Sequence, residues 1–266
     1  MTALSAYIEG IGFLGPGFGD WPSAVPVLAG TAPYVAQATV LPVLGVLPPA
    51  ERRRTGRVVK LALAVGLEAT ASAGEDPATL PSVFSSSGGD GQTCHDLCEV
   101  LATSDRQVSP TRFHNSVHNV AAGYWSIATG AMAPSNALCA NDASFAAGLL
   151  EALTQVIVDQ ATVLLVAYDV PYPEPLHTKR PIADALGVAL VLAPEARASS
   201  LARLTAAFTD SPANRIPDAQ LEALRTSIPA ARSLPLLRQL ARREQARVTI
   251  DYLGLQRVAV EVAPCG

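Results

Sequence analysis

Apolar positions along this chain follow two rhythms. Short alternating or unbroken apolar runs read as strands, and apolar residues spaced three to four apart read as helices. Ala6–Phe13 (AYIEGIGF) is the first strand, closed by Gly15-Pro16-Gly17. Thr31–Pro49 is apolar but punctuated by proline, which predicts irregular chain. Pro48 and Pro49 ahead of Glu51 mark a helix start, with an acid near the positive end of the dipole. Arg57–Thr70 (RVVKLALAVGLEAT) then predicts a helix and Ser72–Thr79 a loop. Leu80–Ser85 predicts a short strand and Ser85–Gly91 a turn. Thr93–Ala102 predicts a helix capped by Thr93.

The pattern becomes denser after residue 109. Ser116–Thr129 predicts a helix, with Gly123 set for close packing, and Pro134–Ala140 an apolar strand. Ala143–Val158 is apolar on all sides, so it predicts a buried helix. Thr162–Tyr168 (TVLLVAY) and Gly187–Leu192 (GVALVL) predict buried strands, joined by the proline-rich loop Asp169–Pro181. This succession of strands and helices argues for a three-layer α/β core. Past Ala193 the rhythm changes. Ser199–Phe208 predicts a helix and Asp210–Pro217 a loop. Ala219–Arg243 predicts two arginine-bearing amphipathic helices, split near Pro229 and Pro235. Arg247–Val262 predicts a β-hairpin turning near Leu253-Gly254.

Composition narrows the functional classes. The chain has 266 residues, enough for one large core. Hydrophobic residues make up 49% and charged residues 16%, with a mean hydropathy of +0.27. A membrane protein and a soluble protein with an extensive buried interface both fit those values. No apolar run reaches the eighteen or so residues of a membrane span. Met1 leads straight into a strand-like run with no basic segment, so no signal peptide is expected. The expectation is a cytoplasmic protein with a large apolar partner surface. A net charge of −4 gives no electrostatic case for nucleic acid, and Arg52, Arg53, Arg54 and Arg57 decorate a helix start.

Other chemistry is thin. Four cysteines make no disulfide framework, and Cys94-His95-x-x-Cys98 matches no common zinc spacing. Gly10, Gly12, Gly15, Gly17 and Gly19 lack the helix and following acid of a dinucleotide loop, and Pro16 and Pro22 interrupt them. No metal and no cofactor is expected.

Ser109–Ala152 carries the most suggestive stretch. It holds His114 and His118, Cys139, and the strand-then-helix layout that presents a nucleophile at an elbow. His114 and His118 stand one helical turn apart, but no H-E-x-x-H glutamate accompanies them. Capping or core hydrogen bonds, an interface role, and metal or acid–base chemistry all remain open for this pair. Tyr124 and Trp125 read as core. Ser85–Gly91 reads as a plain turn ahead of a phosphate cradle.

The residues resemble the N-terminal half of β-ketoacyl synthases. Ala6–Gly15 is similar to that family's opening strand and Arg52–Thr70 to its first helix. Asn119, Ala122-Gly123, Gly130 and Pro134-Ser135 fall where its N…AG…G…GPS pattern places them. Ala185–Pro194 is similar to the strand closing that half. The resemblance covers roughly residues 6–205 and implies an α/β, thiolase-like fold: half of a ketosynthase, three layers α/β/α with a mixed central sheet. It implies one domain over 1–266, with 206–266 as shortened helices and a hairpin in place of the second thiolase half.

The resemblance also shows what is missing. The family's nucleophilic cysteine falls at Asp142 here, and a carboxylate is a poor acceptor for a thioester acyl group. The family's two later histidines have no counterpart, because no histidine follows His177. Cys139 lies three residues before Asp142, inside the expected strand with its side chain in the sheet packing. Asp142 is expected to satisfy free N–H groups at a helix start. A ketosynthase relative so depleted is similar to the short chain-length-factor subunit of type II polyketide systems, closest to that of aryl polyene pathways. This implies a non-catalytic partner of a full-length β-ketoacyl synthase, joined as a heterodimer, with acyl carrier protein meeting the complex. It also implies that Arg112, Phe113, His114, Asn115, Ser116, Val117 and His118 line the partner's acyl tunnel. The rival reading is a stand-alone acyltransferase, thioesterase or decarboxylase using Cys139, or Asp142 with a histidine.

Overall fold

Residues 3–266 are described by a computed structural model. Among them eight strands form one sheet: β1 (Leu4–Leu14), β2 (Ser82–Ser85), β3 (Ser135–Leu138), β4 (Val163–Asp169), β5 (Leu186–Ala193), β6 (Ala202–Thr209), β7 (Ala246–Asp251) and β8 (Arg257–Pro264). The helices are α1 (Trp21–Ala29), α2 (Pro49–Arg54), α3 (Arg57–Ala73), α4 (Gly91–Ala102), α5 (Pro110–Asn115), α6 (Val120–Thr129), α7 (Ser144–Asp159), α8 (Leu176–Lys179), α9 (Ala219–Ser227) and α10 (Leu234–Arg242). The sheet order is β3-β2-β4-β5-β1-β6-β8-β7. Strands β3, β2 and β4 run parallel, and every other neighbouring pair is antiparallel.

Helices α3 and α6 cover one face of the sheet, over a cluster that includes Trp125, Phe84 and Tyr168. Helices α1, α7 and α10 cover the other, over Phe13, Phe145 and Leu237. The expected three layers with a mixed sheet are therefore present. The strands that read as unbroken apolar runs, β4 and β5, are buried along their whole length. Gly10 and Gly12 have a packing role. A Cβ on Gly10 would sit 2.2 Å from Ala69 O, and one on Gly12 2.0 Å from Val65 O. The bare backbone of β1 lets α3 press directly onto the sheet.

Four expectations fail. Ser199–Phe208 contains β6 where a helix was expected. Its Ala202, Leu204 and Ala206 face the core while Arg203 and Ala207 face solvent, a period of two that outweighs the helix propensity of Ala and Leu. The helix over 116–129 begins only at Val120. The α4 cap is Asp90, which accepts the Thr93 N–H at 3.0 Å, so Thr93 lies inside the first turn. Strand β3 is shorter than 134–140, and its first three residues are exposed instead of packed. Strands β6, β8 and β7 continue the sheet from β1, and residue 206 lies within β6. No helix among the described residues is long and apolar enough to cross a membrane.

Candidate functional site

The parallel strands end beside the elbow. Strand β3 stops at Leu138, a 3-10 turn covers Asn141–Ala143, and α7 begins at Ser144. Asn141 takes a left-handed backbone, φ 54°, which a short polar residue tolerates better than most. The turn is tied locally. Ala140 N–H donates to Ser144 Oγ at 3.1 Å, and Ser144 Oγ donates to Asn141 O at 2.7 Å. A strand-to-helix elbow is thus present, with Asp142 on it.

Asp142 does not cap α7. Arg180 Nη2 donates to its Oδ1 at 2.7 Å, and Arg232 Nη2 lies 3.5 Å from its Oδ2. The two guanidiniums draw the carboxylate outward, so the expected bonds to free N–H groups do not form. Arg232 stands on a 3-10 turn, Pro229–Ser233, and its Nη1 donates to Asp251 Oδ2 at 2.8 Å. The elbow is therefore linked by charge to the end of β7. A carboxylate held by two guanidiniums is a poor nucleophile, because its charge is already spent on the pairs.

A second carboxylate lies deeper. Asp169, the last residue of β4, is fully buried. It accepts Ser87 N–H at 2.9 Å and Ser87 Oγ–H at 2.6 Å through Oδ1, and Ala230 N–H at 2.9 Å through Oδ2. Burial pushes its pKa up to about 6, against the lowering effect of these bonds and of the more distant Arg180 charge. Asp169 joins the 86–89 loop after β2 to the 229–233 turn. It shares that loop with His118, whose Nε2 lies 3.1 Å from Ser86 O and donates to it.

Cys139 departs from expectation. It sits just past β3, its side chain is exposed, and its Sγ–H donates to Ser87 O at 3.2 Å. The strand ends one residue too early to turn the thiol into the sheet. Cys94 and Cys98 are exposed on α4, and His95 between them pairs with Glu99 at 3.2 Å.

The segment 112–118 divides in two. Arg112, Phe113, His114 and Val117 are exposed, with Phe113 at 65%. Asn115 is buried: its Nδ2 donates to Arg54 O at 3.0 Å, and its Oδ1 accepts from Tyr124 O–H at 3.3 Å. Ser116 closes the end of α5 by donating to Phe113 O at 2.8 Å. The chain breaks between α5 and α6, so His114 and His118 do not share a helical face. Tyr124 and Trp125 are core, as their size and setting in the sequence suggested.

A groove of about 490 Å³ runs between α6 and β3, floored by Asn119, Ala122, Gly123, Ser126, Ser135 and Ala137. A Cβ on Gly123 would meet nothing of this chain, so the close packing expected there does not occur within it. Ile127 on α6 is also exposed, as is Met132 (93%) in the connection from α6 to β3. Sequence reasoning missed Asp169, Arg180 and Arg232. The one local signal was an acid directly after the apolar run TVLLVAY; the arginines come from distant loops and carry none.

Comparison with known proteins agrees with this geometry. Residues 29–251 match the family model for the β-ketoacyl synthase N-terminal domain. No curated protein matches the chain. Among solved structures, the chain is similar to one from the complex of the ketosynthase ApeO with its chain length factor ApeC from Xenorhabdus doucetiae. That match has 22% identity and a TM-score of 0.74, over 97% of this chain and 99% of that one. It is also similar to a chain of the ishigamide ketosynthase/chain length factor, with 15% identity and a TM-score of 0.73, over 98% and 100% of the two chains. A third is a type II polyketide acyl-carrier protein in complex with its hexaketide-bound ketosynthase, AntDE:AntF, with 12% identity and a TM-score of 0.73, over 99% and 100%. At these identities the structures speak for the fold, which is thiolase-like. The family model spans most of the chain, and the protein belongs to the β-ketoacyl synthase N-terminal domain family.

Proposed function

We propose that this protein is a non-catalytic, chain-length-factor-like partner of a full-length β-ketoacyl synthase. The observation that carries the reading is β3: among the described residues it is an edge strand paired only with β2, beside the α6 groove, with exposed Ile127 on α6 and exposed Met132 in the connection from α6 to β3. An unpaired edge with apolar flanks is a docking surface in a protein that must stay soluble. The elbow supports the non-catalytic half, because Asp142 is held by two arginines and no histidine follows His177. The solved relatives named above include ketosynthase/chain length factor complexes and one with an acyl-carrier protein.

In this reading the whole chain acts as one domain. Arg112, Phe113, His114 and Val117 face the partner and bound its acyl tunnel, while Asn115 and Ser116 brace them from within. His118 holds the 86–89 loop at their side. Acyl carrier protein brings its chain to the heterodimer, and the setting is type II polyketide or fatty-acid-like assembly, of aryl polyene type. The test is co-expression with a full-length ketosynthase from such a system. A one-to-one heterodimer that elongates carrier-bound chains is expected. A stable monomer with no affinity for any such ketosynthase would sink the reading.

The exposed thiol of Cys139 favours one rival, a stand-alone acyl-thioester enzyme. Against it, the thiol has no histidine or carboxylate among its hydrogen-bond partners, and His118 is committed to Ser86 O. Incubation with an acyl-carrier thioester decides between them. A covalent adduct lost in Cys139→Ala would establish the enzyme.

A further inference from the structure

Helices α3 and α4 start into one cavity of about 390 Å³, closed on a third side by the chain that follows β4. The start of α3 is bare. Its N-cap is Gly56, and no side chain caps it. The N–H groups of Arg57, Val58 and Val59 have no acceptor among the described residues. Val58 and Val59 are each 1% exposed, and buried N–H groups without a partner are rare. Arg57 and Val58 line the cavity, so an acceptor for these groups would stand there.

A carboxylate lies beside these donors. Asp90 lines the same cavity and is 6% exposed. Its Oδ1 is spent on the α4 cap, accepting the Thr93 N–H at 3.0 Å. Its Oδ2 accepts no hydrogen bond among the described residues and rests against Gly56, where a Cβ would come within 2.6 Å of it. The glycine thus lets an unpartnered oxygen lie at the start of α3, next to unpartnered N–H groups. Much of the remaining wall is apolar: Val58, Val170, Pro171, Pro173 and the Tyr172 ring. The two prolines bring no N–H to it.

The polar groups select a ligand by charge. A carboxylate or phosphate would satisfy the N–H groups but would face the Asp90 carboxylate. An ammonium would satisfy Asp90 but would leave the N–H groups unpaired, beside the positive end of the α3 dipole and the Arg57 side chain. A carboxamide presents C=O and N–H side by side and satisfies both. We propose that this cavity binds a small uncharged molecule with a carboxamide head on an apolar body. The carbonyl accepts from the N–H groups that open α3, and the amide N–H donates to Asp90 Oδ2. The body rests on the valines, the prolines and Tyr172. The site shares no residue with the partner reading above and stands or falls without it.

The test is amide NMR of the full chain titrated with benzamide and with benzoate, which match in shape and differ in charge. Benzamide is expected to bind with a dissociation constant of about 1 mM and to shift the amides of residues 57–59 and 90–93. Benzoate is expected to bind about ten-fold more weakly. Asp90→Asn keeps the α4 cap, since asparagine caps as well as aspartate. In that variant the preference for benzamide is expected to vanish. The contrast between the two probes in the wild-type chain needs no variant at all. Benzoate bound by wild type as tightly as benzamide would overturn the proposal. So would a preference that survives in Asp90→Asn, or shifts that leave 57–59 unmoved at benzamide concentrations well above that constant.

Discussion

The sheet has two edges, and the protein treats them in opposite ways. At β7 the edge is guarded: Asn214 N–H donates to Thr249 O at 2.9 Å, and Asn214 Oδ1 accepts Thr249 N–H at 2.6 Å. One loop residue thereby occupies both backbone groups of Thr249, in the middle of the strand's outer side. At β3 no such residue stands among the described residues, and three of its four positions are exposed. Unprotected edges invite pairing, so proteins cover the ones they do not use. The proposed function gives the bare edge a use, as the place where the ketosynthase partner docks.

The strongest way to break this comparison is Ala137→Lys, which sets a charge on the exposed edge of β3. Loss of co-purification with the ketosynthase is expected, an affinity drop of roughly 1,000-fold or about 4 kcal/mol. Unfolding of the isolated chain should not change. Retained binding would remove β3 from the interface.

Next comes Asp169, which ties the β2–β3 side to the 229–233 turn. Its folded pKa, about 6, lies above the ordinary carboxylate value of 3.8. The folded state then holds this proton more tightly than the unfolded chain does. Stability from this group is therefore present at acid pH and is lost as pH rises from about 4 through 6. The full shift corresponds to at most about 3 kcal/mol. Chemical denaturation at pH 5 and pH 7 measures it, and Asp169→Asn should flatten the difference. An unaltered difference in the variant would show that another group carries it.

Asn214→Ala sharpens the comparison from the guarded side. It removes the acceptor of the Thr249 N–H, while the backbone N–H at 214 still meets Thr249 O, and should cost about 1–2 kcal/mol in thermal unfolding. Light scattering should also show new self-association, since one donor of the second edge is then open. The smallest effect belongs to Asp142→Asn. The carboxylate side chain is 49% exposed, so its pairs with Arg180 and Arg232 are screened by solvent. A loss of about 0.5–1 kcal/mol is expected, without any gain of acyl transfer. A loss of several kcal/mol would show that the elbow pair is a main support of the C-terminal strands.

Most of the fold was legible along the chain. The runs AYIEGIGF, TVLLVAY and GVALVL became β1, β4 and β5, and RVVKLALAVGLEAT became α3. The hairpin turn fell where Leu253-Gly254 placed it. The largest failure has a plain cause. In Ser199–Phe208 helix propensity and a period of two compete within one short segment, and pairing with β1 and β8 settles the contest. Of the site, the elbow with Asp142 on it was legible, because strand, turn and helix follow each other in sequence. The exposure of Cys139 was not, since it depends on β3 ending at Leu138.

The sequence by itself determined the layers and the elbow, because these rest on local periodicity. Only the tertiary structure decided which edge is bare, which carboxylate is buried and where the arginines go. Arg180, Arg232 and Ala230 reach Asp142 and Asp169 through chain closure over long separations, and Asn214 reaches Thr249 the same way. Hydrogen bonds and ion pairs of that kind leave no period in the sequence. They form once the apolar faces have fixed where each segment lies.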